Sequence, residues 1–504
     1  MVRLLHPFTS LLPLASALAL ALALGPTTAW AYNNGLARTP QRGWNTWNSY
    51  GCSISEDVIL DAAQAIVDEG LDRLGYEYVI IDDCWQGARR DNDTGIIPAD
   101  AVRFPNGLRH VVERIHALGL KAGIYSSAGT MTCGRRIGSL DHETTDANAW
   151  AADGFDYLKY DNCFNQGRSG TPDLSHARYD AMSKALNQTG RPILYSMCNW
   201  GEDAPWLFAT EIANSWRMSG DIYPSFDRDD DRCPCTDITQ CKLHGYHCSI
   251  AKILEFAAPL GQKAYPGAWN DLDMLEVGNT GLSLDESLVH FSMWAMLKSP
   301  LILGNDVTAM TNQTRAIIAN THVLALSDDP TGSPAIRLWK KPVSSSSSSS
   351  SSSGGNVQLW KMPLDNGTYA VAAVNLSPEA HTLSIDFDDV FYDEHLENDD
   401  AAQRSWDAFD LWSGVDFHTF DPTPAPYDRI RLDASPFSRS IPNITVPRHG
   451  IRLLKLAQAG TRGMGMSKDE MQRRDLERKA NVRMGRAREW MAGRQERRLD
   501  ARGL

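Results

Sequence analysis

Residues 155–163 form an aromatic and aliphatic run that is too short for a helix and reads as a buried strand. The run carries a carboxylate, Asp161, where a loop begins at Asn162 and Cys163. Lys159 stands two residues earlier, and side chains alternate along a strand, so the cation and the carboxylate share a face. A cation beside a carboxylate keeps it ionised, which suits a nucleophile. A solvated surface pair has the same spacing, so the surrounding chain has to decide between the two.

That chain repeats a pattern from about residue 41: a short apolar strand, a polar loop, then a helix with 3.6-residue spacing. The strands are expected at 43–48, 78–82, 122–126, 157–161, 193–198, 215–219, 269–273 and 301–305. Helices are expected at 57–73, 107–118, 143–153, 175–188, 248–258, 284–298 and 313–320. Such units in one unbroken array predict a (β/α)8 TIM barrel over 32–327. No G-x-G-x-x-G follows the first strand and no Walker motif occurs, which removes the main support for a nucleotide fold.

Barrels place their chemistry at the C-terminal ends of the strands. Those ends carry Trp44, Trp47 and Asn48; Asp82, Asp83 and Trp85; Tyr125; Lys159 and Asp161; Cys198, Asn199, Trp200, Glu202 and Asp203; Arg217 and Asp221; and Trp269, Asp271 and Asp273. Indole faces stack on pyranose C–H faces, and carboxylates and Lys bind hydroxyls, so this inventory suits a sugar. Asp161 and Asp221, on different strand ends, suit the two carboxylates that flank a glycosidic bond. Asp221 follows Met218, Ser219 and Gly220 in a looser loop, where it can hold a proton. Two other classes use part of the inventory. Asp82, Asp83, Asp271 and Asp273 could hold a hard cation, but no His clusters with them, so no catalytic metal or other cofactor is expected. A non-catalytic lectin needs the aromatics but not two opposed carboxylates.

The remaining chain bounds the context. The 504 residues carry a net charge of −13, which disfavours nucleic acid and anionic membranes as partners. Residues 1–31 read as a secretory signal: Arg3 and His6, an apolar core, then Ala29 and Ala31 before the expected cleavage. Asn92, Asn187, Asn312, Asn366, Asn375 and Asn443 open N-x-Ser/Thr sequons, which predicts a secreted, extracellular glycoprotein. The nine cysteines imply pairing with one left free. From about Asp328 helical spacing gives way to short alternating segments at 335–340, 357–363, 368–375, 381–387, 409–412 and 450–455. These predict a small antiparallel β-sandwich over 328–457. Its Ser-rich loop, 344–355, joins two adjacent strands. The Arg-rich stretch 458–504 has little to bury and is expected to be a disordered tail.

Five motifs in order resemble glycoside hydrolase family 27, the family of α-galactosidases and α-N-acetylgalactosaminidases. They are the runs 43–47, 81–85, 159–163, 216–221 and 269–274; the loop 198–203 and the segment 233–235 look most like the secreted fungal type-B α-galactosidases. The resemblance implies a retaining exo-α-galactosidase acting on galacto-oligosaccharides and galactomannan, with Asp161 as nucleophile and Asp221 as acid/base. Asp82, Asp83, Lys159 and Arg217 match ligands of the sugar hydroxyls; Trp47 matches a wall and Tyr125 the third-strand aromatic. Asn199 and Asp203 belong to the same loop as Cys198 and Trp200, which match the readers of the C2 substituent. A bulky Trp200 there favours galactose over its N-acetylamino analogue. The family pairing implies Cys52–Cys84 and Cys133–Cys163, with Cys233–Cys248 and Cys235–Cys241 expected for the last four, leaving Cys198 free.

Overall fold

In the computed structural model, which describes residues 34–238, 246–343, 355–392, 401–419 and 437–459, the chain divides between Ile336 and Arg337 into two units. The first is built on eight parallel strands: β1 (Arg42–Asn45), β2 (Tyr76–Ile80), β3 (Lys121–Ser127), β4 (Tyr157–Asp161), β5 (Leu194–Cys198), β6 (Ser215–Arg217), β7 (Trp269–Asp271) and β8 (Leu301–Leu303). β1 to β7 pair in sequence order, and β8 pairs with β1. A parallel bridge between Leu275 and Leu303 joins the remaining edge and closes the barrel. Closure leaves no strand edge exposed and gathers all eight C-terminal ends around one mouth.

The approach of β1 to β2 depends on a glycine. A Cβ on Gly43 would lie 2.3 Å from the Tyr78 carbonyl oxygen, closer than atoms can pack. Inside the barrel, Tyr78 and Tyr157 meet at 5.4 Å between ring centroids, packed among Ile80, Leu194 and Ile302. A polar chain crosses the same interior: Gln41 Nε2 donates to Ser215 Oγ at 2.9 Å, and Ser215 Oγ to Ser196 Oγ at 2.9 Å.

Around the strands lie α1 (Glu56–Asp68), α2 (Gly107–Ala117), α3 (Glu143–Asp153), α4 (Pro172–Gln188), α5 (Ile250–Ala257), α6 (Leu284–Met296), α7 (Asn312–Ile318) and α8 (Thr321–Asp328). Their starts follow side-chain chemistry. Ser55 and Thr171 accept the N3 amides of α1 and α4, and Ser283 forms a capping box with Glu286 on α6. Each such cap stabilises its helix by about 1 kcal/mol.

Several expected boundaries move for identifiable reasons. β1 stops at Asn45, because Asn45 Oδ1 accepts the Trp47 amide at 2.8 Å and turns the chain into a one-turn helix, Trp47–Tyr50. β2 ends at Ile80, so Asp82 and Asp83 stand in the loop beyond it. β7 ends at Asp271, whose Oδ1 accepts the Asp273 amide at 2.8 Å. The expected helix 57–73 breaks after Asp68, where Gly70 takes a positive φ. The expected helix 313–320 gives way to two: Asn320 caps α8 by accepting the His322 and Val323 amides. Between β5 and β6 the described residues hold only 3₁₀ turns, Pro205–Leu207 and Ala209–Glu211.

The second unit has a six-stranded sheet that includes β9 (Ile336–Pro342), β10 (Asn356–Leu364), β11 (Thr368–Asn375), β13 (Ser405–Asp410) and β15 (Ile451–Gln458). A second sheet pairs β12 (His381–Asp386) with β14 (Ser440–Val446). Their inner faces share one core: Leu359, Val371, Trp406 and Leu454 from the larger sheet, and Ile385, Ile441 and Val446 from the smaller. This is the expected antiparallel sandwich. β9 and β10 are neighbours, as expected for the strands flanking the serine run. The run itself lies outside the described residues, as do the segments read as signal and tail, apart from Gln458 and Ala459 of the tail. β14 escaped sequence reading because Pro442 and the positive φ of Asn443 interrupt its alternation.

Candidate active site

β4 and its neighbours build one side of the barrel mouth. Register pairs Lys159 with Tyr125 and Asp161 with Ser127 on β3, so Lys159 and Asp161 do face the same way. The Lys159 ammonium, however, does not rest on Asp161. It donates to Asp82 Oδ2 at 2.7 Å and lies over the Tyr125 ring at 5.3 Å from the centroid. Asp161 is held by neutral donors: Tyr125 Oη at 2.7 Å and the Asn162 amide at 2.9 Å. Burial pushes the Asp161 carboxyl up to about 7, and the charge of Asp221 adds to the rise; Lys159, Tyr125 and Asn162 pull the other way. The neighbouring cation, expected to keep this carboxylate ionised, does pull in that direction, but burial pushes the other way more strongly.

The adjoining wall is Asp82 and Asp83. Asp82 Oδ2 accepts from Asn45 Nδ2 at 2.7 Å as well as from Lys159, and its Oδ1 accepts the Asp83 amide. Asp83 accepts from Thr132 Oγ1 at 2.8 Å and the Gly134 amide at 2.6 Å, which ties it to the loop after β3. Disulfide Cys52–Cys84 adjoins Asp83 in sequence, and Cys133–Cys163 joins the residue before Gly134 to the loop two residues after Asp161, so the two brace the loops that carry and hold these carboxylates. Trp47, half-buried, packs on the interior cluster that includes Met274 and Ile80.

The opposite side comes from β5, β6 and β7. Cys198 pairs in register with Asp161 and is the free thiol among the described residues. Burial pushes the Cys198 thiol well up, so it stays neutral. Arg217 Nη1 donates to its sulfur at 3.5 Å, while Nη2 lies 2.8 Å from Asp221 Oδ1 and 2.8 Å from Asp273 Oδ2. Asp221 is not in a free loop as expected. It begins a two-residue strand, Asp221–Ile222, paired with Tyr246–Cys248, and Cys233–Cys248 anchors that partner. Cys241, and with it the expected Cys235–Cys241 bridge, lies outside the described residues.

The loop after β5 is fixed from beneath. Gly201 takes φ +80° and a Cβ there would come 2.2 Å from the Met218 carbonyl oxygen. Asn199 Nδ2 donates to the Glu202 carbonyl, and half-buried Trp200 also has a left-handed backbone. Asp203 Oδ2 accepts from the Gly170 amide and Ser175 Oγ, so it ties this loop to the start of α4. Sequence reasoning missed a buried bracket here. Asn162 Oδ1 accepts from Arg178 Nη2 at 2.6 Å and its Nδ2 donates to Glu202 Oε2 at 2.6 Å. It thus joins α4, the residue after Asp161 and the β5 loop. Asn162 and Glu202 sit inside recognisable motifs; Arg178 on α4 has no local signal.

The sequons divide by exposure. Asn92, Asn187, Asn312, Asn366 and Asn443 are exposed. Asn375 is buried and its Nδ2 donates to the carbonyls of Glu379 and Pro447 at 2.7 and 2.8 Å. Modification of Asn375 is incompatible with this fold, a correction to the sequence expectation.

A closed (β/α)8 barrel with carboxylates, cations and indoles at one mouth is an arrangement that suits a glycoside hydrolase. Comparison with known proteins makes this specific. The family model described as alpha galactosidase A matches residues 39–329, and that of the alpha galactosidase C-terminal beta sandwich domain matches 354–456. An alpha-galactosidase from Saccharomyces mikatae is 49% identical over 399 residues, covering 79% of this chain and 83% of that one. Alpha-galactosidase I from Mortierella vinacea is 50% identical with a TM-score of 0.76, over 86% of this chain and 100% of that structure. The Saccharomyces cerevisiae alpha-galactosidase with raffinose is 42% identical with a TM-score of 0.79, over 84% and 99%. The chain belongs to the α-galactosidase family, glycoside hydrolase family 27, and is a glycoside hydrolase.

Proposed function

We propose that this protein is a retaining exo-α-galactosidase that removes terminal α-galactose by two displacements. The observation that carries the reading is a chain of contacts across three adjacent strands. Asp161 stands in register with Cys198, Cys198 touches Arg217, and Arg217 bonds Asp221. The two carboxylates are thereby linked through one guanidinium and one thiol, close enough for the charge of Asp221 to act on Asp161. Asp161 attacks the anomeric carbon while Asp221 protonates the departing oxygen; Asp221 then takes a proton from water, which releases galactose from Asp161. Both donors on Asp161 stabilise its anion and aim it.

Asp82, Asp83 and Lys159 hold the outer hydroxyls, Arg217 a further one, and Trp47 a ring face. Cys198 and Trp200 leave little room at C2, which favours galactose over N-acetylgalactosamine. The raffinose complex of the Saccharomyces relative supports raffinose- and melibiose-type substrates, with galactomannan branches as the polymeric case. Three disulfides among the described residues and five exposed sequons support a secreted glycoprotein.

Proton NMR of p-nitrophenyl α-galactoside hydrolysis tests the mechanism: α-galactose appears first, and β-galactose first would refute double displacement. Faster cleavage of the N-acetylgalactosaminide would refute the C2 reading.

A further inference from the structure

We infer that Asp273 is a positioning residue that sets how firmly Arg217 holds Asp221, and so how readily Asp221 keeps its proton. The inference rests on the acid/base reading of Asp221. Asp273 is buried beside β7 with φ +81°, a left-handed conformation that strains a non-glycine residue. The strain is overdetermined by hydrogen bonds. Its amide donates to Asp271 Oδ1, its Oδ1 accepts the Met274 amide, and its carbonyl accepts from Trp294 Nε1.

This aims Oδ2 at two targets. It accepts the Ile222 amide at 2.8 Å, one residue after Asp221, and it lies 2.8 Å from Arg217 Nη2. That same nitrogen bonds Asp221 Oδ1. One guanidinium is thus divided between a buried carboxylate and a half-exposed one, whose side chains are 4% and 44% exposed. With Asp273 ionised, part of Arg217's charge is neutralised before it reaches Asp221. Without it, the whole cation favours ionised Asp221, and fewer molecules carry the proton that the leaving oxygen needs. The other charged or titratable groups facing this cluster are Asp271 on β7, Glu276 in the loop after it, Lys159 and Asp161 on β4, and Cys198 on β5. Burial raises Asp273 itself against the pull of Arg217, so its charge is felt most on the basic side of the pH profile.

The test compares wild type, Asp221→Asn, Asp273→Asn and Asp273→Ser on melibiose and on p-nitrophenyl α-galactoside across pH. Asparagine keeps a side-chain acceptor and tolerates the positive φ, serine removes the carboxylate with a shorter side chain, and the ratio of the two kcat values does not depend on the folded fraction. Both Asp273 variants should lower the melibiose/aryl ratio by about tenfold and move the basic limb down by about one pH unit. An unchanged ratio with an unmoved limb would show that Asp273 serves only the fold, and would overturn the inference. The Asp221→Asn control separates the two readings. If it shows no preference for the aryl substrate, the acid/base assignment itself fails.

Discussion

Asp161 and Asp221 sit two barrel strands apart, and almost everything around them differs. Asp161 is 6% exposed, ends a regular strand, and is held by a phenol and a backbone amide. Asp221 has a side chain that is 44% exposed, begins a short strand, and is held by a guanidinium. The contrast matches the nucleophile and acid/base roles proposed for them. A nucleophile has to reach one carbon from one direction, so fixed neutral donors suit it. An acid/base must meet first the leaving oxygen and then water, so it stands where solvent and aglycone can enter. The difference also explains why burial acts so strongly on Asp161.

The sharpest way to break this contrast is to remove each carboxylate. Asp161→Asn should lower kcat at least about 10⁴-fold on every galactoside, because the proposed mechanism forms the bond to the sugar through this carboxylate. Asp221→Asn should cost roughly 10²- to 10⁴-fold on melibiose and much less on p-nitrophenyl α-galactoside, whose leaving group departs without a proton. Equal losses across leaving groups in both mutants would erase the division of labour.

Smaller effects sharpen the picture of the frame. Asn162→Ala leaves Arg178 and Glu202 without the amide between them. Unpairing such buried groups costs about 2–3 kcal/mol, or roughly 5–10 °C in melting temperature; calorimetry of the variant checks it. The smallest effect concerns pH. Burial raises Asp161 and Glu276 to about 7 and Asp271 to about 6. The folded state therefore binds more protons than the unfolded chain between the ordinary carboxylate range, about 4, and neutrality. This stabilisation is complete below that range and is lost as pH rises through 6 to 7. The melting temperature should fall by a few degrees between pH 5 and pH 8, and Glu276→Gln should flatten the slope.

The barrel, the sandwich and the residues of the mouth were legible because they are written locally. Strands of apolar residues ending in Asp82, Asp161 or Arg217 carry both the fold signal and the chemistry in one short stretch. What was hidden depends on partners far away in sequence. Lys159 was expected to serve Asp161, two residues along, yet its ammonium reaches 77 positions back to Asp82. Strand alternation fixes a face, not a partner. Arg178 sits on a helix with no motif, and only the fold shows it meeting Asn162. Asn375 carries the sequon pattern, but its amide is consumed by the carbonyls of Glu379, Val446 at the end of β14, and Pro447 just beyond it.

The most direct test is to trap the first displacement. A fluorinated galactosyl substrate whose second step is slowed should leave one sugar covalently bound, and peptide mapping by mass spectrometry should place it on Asp161. A label on Asp221, or turnover with no covalent species, would contradict the assignment of the β4 carboxylate as nucleophile.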